Sequence, residues 1–363
     1  MLEAWLDLEN LYPGKVTHEV LGQTWQGKNI LLFRIGNRNG GRVWFNGTVH
    51  GGEVVGPEVY YKYARWLLDN SEPGVSDRIM NGNYTLIVPF MNADGYPSTA
   101  PVEYVAEGRR TNRNPSGAVN LNRNAARTWK TGCGHYDSVA GHWVGEPLNA
   151  DGTCTLPLVK MPASGRDLML GYCYGSGCGS GAWTDIPGDW EYRGSNPNSE
   201  PETQAILNGL TKWTPKFFLD YHIWAGPYVA RTGVSGTDTA YHDSVIAKSN
   251  MLATQRGVSG YSYTVGGVAG MLLDSAYATV KATSYLIESL SVTHIPPDTT
   301  TPHYDMLGPY TDVTSNAYPR FLPLAITFSQ ECEIITPPPS LPFHDDFVDL
   351  SKWQVLKGAW TVK

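Results

Sequence analysis

A histidine and a glutamate lie three residues apart where the first long apolar run of the chain ends. The run, residues 43–49, has the β-branched and aromatic content of a buried strand, and His50 follows it directly. Gly51 and Gly52 lead on to Glu53, and two glycines permit a turn sharp enough for both side chains to face one point. Imidazole nitrogen and carboxylate oxygen suit zinc. We therefore interpret His50 and Glu53 as two ligands of one metal site.

A catalytic zinc site needs a third protein ligand and one open position, and a second strand end offers a candidate. Residues 217–222 form another apolar run that ends in a histidine, His222. A core histidine at the end of a strand is the alternative interpretation. The sequence predicts that His222 joins His50 and Glu53 in binding one Zn2+ ion, with water in the fourth position and its pKa lowered toward neutrality.

Five further segments carry short polar motifs, and they follow one another in a definite order. Together with the two candidate ligand segments, they resemble the zinc carboxypeptidases of the carboxypeptidase A type, peptidase family M14, in the same order. The resemblance covers roughly residues 1–330. The five segments are 89–95, 108–113, 117–124, 192–202 and 285–288.

Peptide hydrolysis also needs a carboxylate that takes a proton from water and passes it to the leaving amine. Glu288 ends the apolar run 285–288, where a buried carboxylate without a function would be costly. A salt-bridged structural glutamate is the alternative, but the resemblance matches Glu288 to the family's general base. It also matches Arg110 to the arginine that stabilises negative charge on the carbonyl oxygen. Arg109 and Arg113 are interpreted as part of a solvated basic face.

The resemblance implies an exopeptidase that recognises a free C-terminal carboxylate. It assigns this contact to Asn122 and Arg123, and a planar guanidinium is suited to bidentate binding of a carboxylate. It also places Leu273 at the floor of the specificity pocket. An apolar floor predicts a preference for apolar or aromatic C-terminal residues.

Two positions depart from the family pattern. Asn120 stands where the family has an acid that orients the first zinc histidine, and an amide oxygen could still accept that hydrogen bond while donating less charge. The mobile tyrosine that caps bound substrate in many family members would fall at Gly266. Tyr263 is close in sequence and is the candidate substitute.

These side chains require a scaffold in which several strand ends meet. Strand-like runs alternate with helical runs, which predicts an α/β fold with a mixed, mostly parallel twisted sheet and helices on both faces. Ligands usually bind at the carboxyl ends of such strands. Ser199 is expected to cap the helix that begins near residue 200. The predicted strands are 29–35, 43–49, 84–90, 216–221 and 283–290, and the predicted helices are 2–12, 57–69, 200–211, 241–255 and 272–280.

The composition is typical of a loop-rich, secreted enzyme. Only 17% of the 363 residues are charged, whereas Gly and Pro number 39 and 25. The net charge is −7 and basic residues do not cluster, so nucleic acid is not an expected partner. No apolar run approaches the ~20 residues of a membrane-spanning helix. We expect an extracellular protein whose signal peptide lies outside this sequence.

Residues 125–190 interrupt the alternation of strands and helices and are interpreted as an insertion beside the site. Two disulfides that tie this long loop are favoured over free thiols, and four cysteines allow three connectivities. The insertion could shape the substrate cleft or form a flap without a role in substrate choice. Its cysteines are Cys133, Cys154, Cys173 and Cys178, whereas Cys332 stands apart.

The sequence predicts three parts: a catalytic domain at 1–333, a stiff Pro-rich linker at 334–342, and a short third segment at 343–363. The third segment resembles the opening of a lectin-like β-sandwich, and alternation over 353–362 predicts its first hairpin. So short a segment cannot close a sandwich, so we expect a truncated module. Its expected partner is a carbohydrate or another surface ligand.

These observations predict a secreted zinc metallocarboxypeptidase that removes C-terminal residues from peptides or proteins. One alternative is a zinc peptidase or amidase of the same family that acts on cell-wall peptides, for which the two departures and the long insertion leave room. Another is a noncatalytic binding homologue. Retention of both Glu288 and Arg110 argues against the noncatalytic alternative.

Overall fold

The computed structural model describes residues 1–96, 111–125, 187, 192–224, 226–232, 237–265, 271–291 and 313–332. It also gives the backbone of four short strands, at 133–137, 142–146, 353–356 and 359–362. The chain divides into two units, residues 1–333 and residues 334–363, and each is described by itself.

The described part of the first unit contains helices and strands in alternation. The helices are α1 Leu2–Leu11, α2 Val55–Leu68, α3 Ser76–Gly82, α4 Pro201–Trp213, α5 Thr237–Gln255, α6 Leu272–Val280 and α7 Tyr318–Cys332. The strands are β1 Val16–Gln23, β2 Asn29–Gly36, β3 Gly41–Gly47, β4 Asn83–Val88, β5 Cys133–Asp137, β6 His142–Glu146, β7 Phe217–Trp224, β8 Tyr228–Arg231, β9 Ser262–Val265 and β10 Thr283–Ser291.

Eight of these strands form one mixed sheet in the order β1-β2-β4-β3-β7-β10-β8-β9. The central strands β4, β3, β7 and β10 run parallel to one another, and so do β8 and β9, whereas the pairs β1–β2, β2–β4 and β10–β8 are antiparallel. The carboxyl ends of β3, β7 and β10 therefore meet at one edge of the sheet. This architecture confirms the predicted α/β fold class.

Two apolar cores cover the two faces of the sheet, which explains why its central strands are buried on both sides. On β7, Phe217 and Leu219 enter the core formed with helices α1, α2, α5 and α7. Phe218 enters the opposite core with α4 and α6. Because strand side chains alternate, Asp220 and His222 project on the same face as Phe218. The candidate site thus lies on the α4–α6 face.

One predicted helix start is wrong. Ser199 was expected to cap α4, but Glu200 occupies the N-cap position, and no side chain there accepts a capping hydrogen bond. The Ser199 hydroxyl instead donates to the Glu200 carboxylate, from Oγ to Oε1 at 2.6 Å. The oxygen of the same hydroxyl accepts a hydrogen bond from the Asn124 side-chain amide at 3.0 Å, so both sides of the group are used outside the helix.

Several elements were not predicted from the sequence. Strand β1 is an edge strand with mixed exposure and a polar composition, so its pattern lacks clean alternation. Helix α7 contains Pro323 in its interior, a residue that ordinarily argues against a helix.

No helix in the described ranges has the length and apolar character needed to cross a membrane.

The predicted insertion and tail are described only in part. Within 125–190, β5 and β6 pair as an antiparallel hairpin. The side chain of Cys133 and all of Cys154, Cys173 and Cys178 lie outside the described residues, so both predicted disulfides stay predictions. Cys332 is a free, buried thiol.

The second unit contains an antiparallel pair, β11 Trp353–Leu356 and β12 Ala359–Val362. The pair lies in the range where alternation predicts a hairpin. The predicted linker at 334–342 lies outside the described residues. The division into catalytic domain, linker and truncated sandwich module stays a prediction.

Candidate metal centre and active site

The loop after β3 brings the first two candidate ligands into place. His50 and Glu53 are joined by a backbone hydrogen bond from the Glu53 N–H to the His50 carbonyl at 3.0 Å, which closes a tight turn before α2. Gly51 lies against the backbone of Gly95, where an added Cβ would come within 2.3 Å of the Gly95 carbonyl carbon. Only a residue without a side chain fits this close approach, which explains why glycine follows His50.

Three side chains from two distant parts of the sequence converge at the carboxyl edge of the sheet. The Nδ1 atom of His50 lies 2.6 Å from Glu53 Oε1, and the Nδ1 atom of His222 lies 3.0 Å from Glu53 Oε2. The two Nδ1 atoms are 3.3 Å apart. One ligand atom from each residue falls within 4.8 Å of the others, and all three residues are buried. The structure therefore brings together all three predicted metal ligands.

The outer nitrogens of the two histidines face hydrogen-bond acceptors. His50 Nε2 lies 3.2 Å from Asn120 Oδ1, and His222 Nε2 lies 3.1 Å from Asp220 Oδ2. When each Nε2–H donates to its acceptor, each Nδ1 keeps a lone pair directed toward the cluster. Asn120 is thus in contact with the first histidine, the position that the resemblance gave it.

The electrostatics of the cluster favour an ionised Glu53. Burial opposes ionisation, but the positive charges of His50 and His222 and their hydrogen bonds outweigh it and hold the pKa of Glu53 at about 2. Burial also works to lower the pKa of His222, yet the carboxylates of Glu53 and Asp220 raise it well above its usual range. A metal ligand must be deprotonated to bind; the Glu53 carboxylate already meets that condition, whereas His222 would release a proton as a metal binds.

The donor set fits zinc. Two imidazole nitrogens and one carboxylate are a known ligand set of catalytic zinc sites that keep a fourth position open. Glu53 Oε2 is buried and, apart from the His222 ring at 3.0 Å, has no well-aligned hydrogen-bond donor among the described residues. A divalent cation held by His50, Glu53 and His222 would give this oxygen a strong partner.

Glu288 lies beside the cluster because of the strand register. On the parallel pair β7–β10, Glu288 is the register partner of His222. Its neighbour Leu286 enters the core on the α4–α6 face, so alternation directs Glu288 to the face that carries the metal ligands. The side chain is partly exposed. Gly226 packs against the Glu288 backbone so closely that an added Cβ would lie 1.7 Å from the Glu288 carbonyl oxygen.

Asn122 and Arg123 occupy a short 3₁₀ turn, Leu121–Arg123, next to the cluster. The Asn122 amide nitrogen lies 3.4 Å from His222 Nε2, and its Oδ1 accepts a hydrogen bond from the Leu272 N–H at 3.3 Å. Arg123 Nη1 donates to the Asn122 carbonyl at 2.9 Å, and the residue is 6% exposed. Asn122 therefore lies beside the candidate metal ligand His222, and Arg123 follows it in the same turn.

A buried polar network supports the segment that carries Asn120, Asn122 and Arg123. The Asn112 amide donates to both Glu200 Oε2 and Glu202 Oε2, at 2.6 and 3.0 Å. Burial and the nearby charge of Glu200 raise the pKa of Glu202 to about 7, although hydrogen bonds from Asn112 and the Trp25 N–H oppose the shift. The motif at 192–202 thus has a structural explanation as the anchor of this segment.

The remaining predicted substrate contacts are Leu273 and Tyr263. Leu273 is fully buried in the core on the α4–α6 face, beside Leu272 and Leu286. Tyr263 is on the edge strand β9, and its hydroxyl donates to Asp243 Oδ1 at 2.5 Å. Arg109, Arg110 and Gly266 lie outside the described residues, and Arg113 is exposed.

Sequence reasoning missed Asp220, the partner of His222. The signal was present, because Asp220 and His222 are two residues apart on a strand and therefore share one face. Asn46, which donates to Asp220 Oδ1 at 2.9 Å, was also missed.

The model of the zinc carboxypeptidase family matches residues 1–292. The chain belongs to the zinc carboxypeptidase family, peptidase family M14, a family of zinc-dependent hydrolases. This membership confirms the resemblance stated from the motifs.

Among curated proteins, carboxypeptidase D of Drosophila melanogaster is 29% identical over 124 residues, 32% of this chain and 9% of that protein. Carboxypeptidase A6 of Mus musculus is 22% identical over 232 residues, 62% of this chain and 42% of that protein. The matched regions thus span less than half the length of either relative.

Solved structures of carboxypeptidases share the fold. Bovine thrombin-activatable fibrinolysis inhibitor, in complex with tick carboxypeptidase inhibitor, superimposes with a TM-score of 0.61 at 15% identity, covering 91% of this chain and 95% of that one. Carboxypeptidase A from Helicoverpa armigera superimposes with a TM-score of 0.61 at 16% identity, and the match covers 90% of this chain and 71% of that one.

Proposed function

We propose that this protein is a zinc-dependent metallocarboxypeptidase that hydrolyses the C-terminal peptide bond of peptides or proteins. One observation carries the proposal: Glu288 is the register partner of His222, the histidine that shares Glu53 with His50. The proposed general base and the proposed metal ligand His222 thereby lie on neighbouring strands. Family membership supports the same conclusion.

A zinc ion held by His50, Glu53 and His222 would act as a Lewis acid and lower the pKa of a bound water. Glu288 takes one proton from the attacking water as the water oxygen bonds to the carbonyl carbon. When the C–N bond breaks, Glu288 passes that proton to the leaving nitrogen, so its charge is restored at the end of the cycle. Arg110 is proposed to stabilise the negative charge on the carbonyl oxygen.

Substrate selection is assigned to Arg123, with Asn122 beside it. A buried guanidinium binds a carboxylate strongly, because the charged hydrogen bonds are poorly screened. The free α-carboxylate of a peptide end is the matching ligand. Leu273 is proposed as the floor of the specificity pocket, where it would favour apolar or aromatic C-terminal residues, and Tyr263 is the proposed substitute for a substrate-capping tyrosine.

Secretion belongs to the same proposal and is supported by the composition, which is low in charge and rich in Gly and Pro. Peptide and protein C-termini are the proposed partners. The carbohydrate or surface ligand expected for the segment 343–363 has no support from the fold or the related proteins and stays a prediction.

The test is a panel of N-blocked dipeptides, each prepared with a free C-terminus and as its C-terminal amide, incubated with zinc-loaded protein. The expected result is cleavage of the free acids, fastest with Phe or Leu at the C-terminus, and no cleavage of the amides. Equal cleavage of both forms would refute the role of Arg123 and favour the amidase alternative. If no peptide is cleaved, cell-wall peptides incubated with the same zinc-loaded protein separate that alternative from a noncatalytic homologue.

A further inference from the structure

We propose that Asp220 is a positioning residue of the metal centre, which fixes the ring of His222 and makes it the more strongly donating of the two histidine ligands. Asn46 in turn fixes Asp220. The inference rests on the proposed function, because it requires that His50, Glu53 and His222 bind a metal ion.

The contact between Asp220 and His222 is built by the strand. The two residues are separated by one position on β7, so their side chains project from the same face. Asp220 Oδ2 lies 3.1 Å from His222 Nε2, and the two side chains are 0% and 1% exposed. With the Nε2–H donated to the carboxylate, the ring can present only Nδ1 to a metal, which fixes both tautomer and orientation.

Asp220 is itself held by the neighbouring strand. Asn46 on β3 is the register partner of Asp220 on β7. The Asn46 amide Nδ2 donates to Asp220 Oδ1 at 2.9 Å. One carboxylate oxygen of Asp220 thus faces Asn46, and the other faces His222. Asn46 is fully buried and anchored in the centre of the sheet. The relay Asn46–Asp220–His222 thus begins on an interior strand of the sheet.

The two histidines differ in what they face. His50 Nε2 lies against the neutral amide oxygen of Asn120, and that oxygen also accepts a hydrogen bond from the Asn122 N–H at 3.0 Å. His222 Nε2 lies against a carboxylate. A hydrogen bond to a charged acceptor is about twice as strong as one to a neutral acceptor, and it raises the basicity of the histidine more. The donation toward a metal is therefore asymmetric, with His222 as the stronger ligand.

A purely structural role explains the carboxylate poorly. Asp220 is fully buried, and within the described ranges no lysine or arginine forms an ion pair with it. A buried carboxylate is costly unless it is paired, and the partner of Asp220 is the ring of a candidate metal ligand rather than a lysine or arginine. A metal ion bound by His222 would add positive charge beside this carboxylate.

The experiment measures metal binding apart from activity. Zinc affinity is determined by competition with a chelator, and the visible spectrum of the Co2+-substituted protein reports the ligand field. Asp220→Asn keeps the shape but removes the charge, and we expect zinc affinity to fall about 10- to 100-fold with a shifted Co2+ spectrum. Asp220→Glu is expected to recover part of the affinity. Asp7→Asn, an exposed aspartate on α1, is the matched control and should equal the unmodified protein.

Unchanged zinc affinity and an unchanged Co2+ spectrum in Asp220→Asn would overturn the proposal. If Asp220→Asn fails to fold, the Co2+ spectrum of Asn46→Ala tests the proposal instead. This second variant leaves every ligand in place but releases Asp220, so a shifted Co2+ spectrum supports the relay and an unshifted spectrum refutes it. The proposed function fails separately, if His50→Ala and His222→Ala bind zinc as well as the unmodified protein does.

Discussion

Glu288 and His222 are register partners on the adjacent parallel strands β10 and β7. The backbone ladder therefore fixes the separation of a candidate general base from a candidate metal ligand, and no loop conformation is needed to bring them together. Sites built on strands are held more precisely than sites on loops. The substrate-binding residues, in contrast, lie on a segment anchored by side-chain hydrogen bonds, so the two halves of the site should respond differently to mutation.

Zinc is expected to stabilise the folded protein, because the unfolded chain lacks the assembled ligand set. At a free zinc concentration 100 times the dissociation constant, the gain in the free energy of unfolding is about 2.7 kcal/mol. Thermal unfolding with zinc and with excess chelator measures it. His222→Ala should abolish the difference in melting temperature, and His18→Ala, on strand β1 outside the site, should preserve it. A zinc effect that survives in His222→Ala would place the metal elsewhere.

Arg123→Ala is expected to reduce kcat/KM for free-acid peptides about 10- to 100-fold, since a hydrogen bond to a charged group contributes about 1.5–3 kcal/mol. Zinc content should not change, because Arg123 is not a ligand. Steady-state kinetics on the free-acid peptides provides the measurement. Arg38→Ala, an exposed arginine, is the matched control and should leave kcat/KM unaltered. Full activity of Arg123→Ala would show that another group binds the peptide end.

Glu202 is expected to make the protein less stable as the pH rises from about 4.5 to 7. Burial raises the pKa of Glu202 to about 7, so between these values the folded state holds a proton that the unfolded state has lost. The penalty grows with pH, is complete above pH 7, and amounts to at most about 3 kcal/mol. Urea unfolding across this pH range should show that Glu202→Gln removes this contribution to the slope, whereas exposed Glu3→Gln retains it. Identical slopes in all three proteins would contradict the buried-carboxylate explanation.

Gly51→Ala is expected to destabilise the turn between His50 and Glu53. The new methyl group would lie 2.3 Å from the Gly95 carbonyl carbon, so the backbone must shift, at a cost of about 1–3 kcal/mol. Both the melting temperature and the zinc affinity should fall. Gly27→Ala meets no atom within 4 Å and has a φ of +76°, so it calibrates the cost of an unfavourable backbone angle alone. Unchanged zinc affinity in Gly51→Ala would show that the turn tolerates a side chain.

The sequence predicted the central strands and the three candidate metal ligands that the structure brings together, because both depend on local patterns. His50 and His222 each end an apolar run, and strand ends are where parallel sheets place their ligands. Helix α6 was predicted with the bounds Leu272–Val280 that the structure has. These features need no knowledge of distant contacts.

What was missed depends on partners far away in sequence. The relation of Asn46 to Asp220 spans 174 positions and exists only once β3 and β7 pair. The error at Ser199 has a different source, since the adjacent Glu200 carboxylate takes its hydroxyl. Helix α7 was not predicted, because the packing of Phe321 and Phe328 in the core, which offsets the unfavourable Pro323, is not visible in the local sequence.

The most direct test of the account measures activity and zinc content together in Glu288→Gln. We expect kcat on a free-acid dipeptide to fall about 100- to 10,000-fold, the usual contribution of a general base, while one zinc ion per chain remains bound. Glu3→Gln should match the unmodified protein in both measurements. If Glu288→Gln retains full activity with zinc bound, the proton is transferred by another group and the central claim is contradicted.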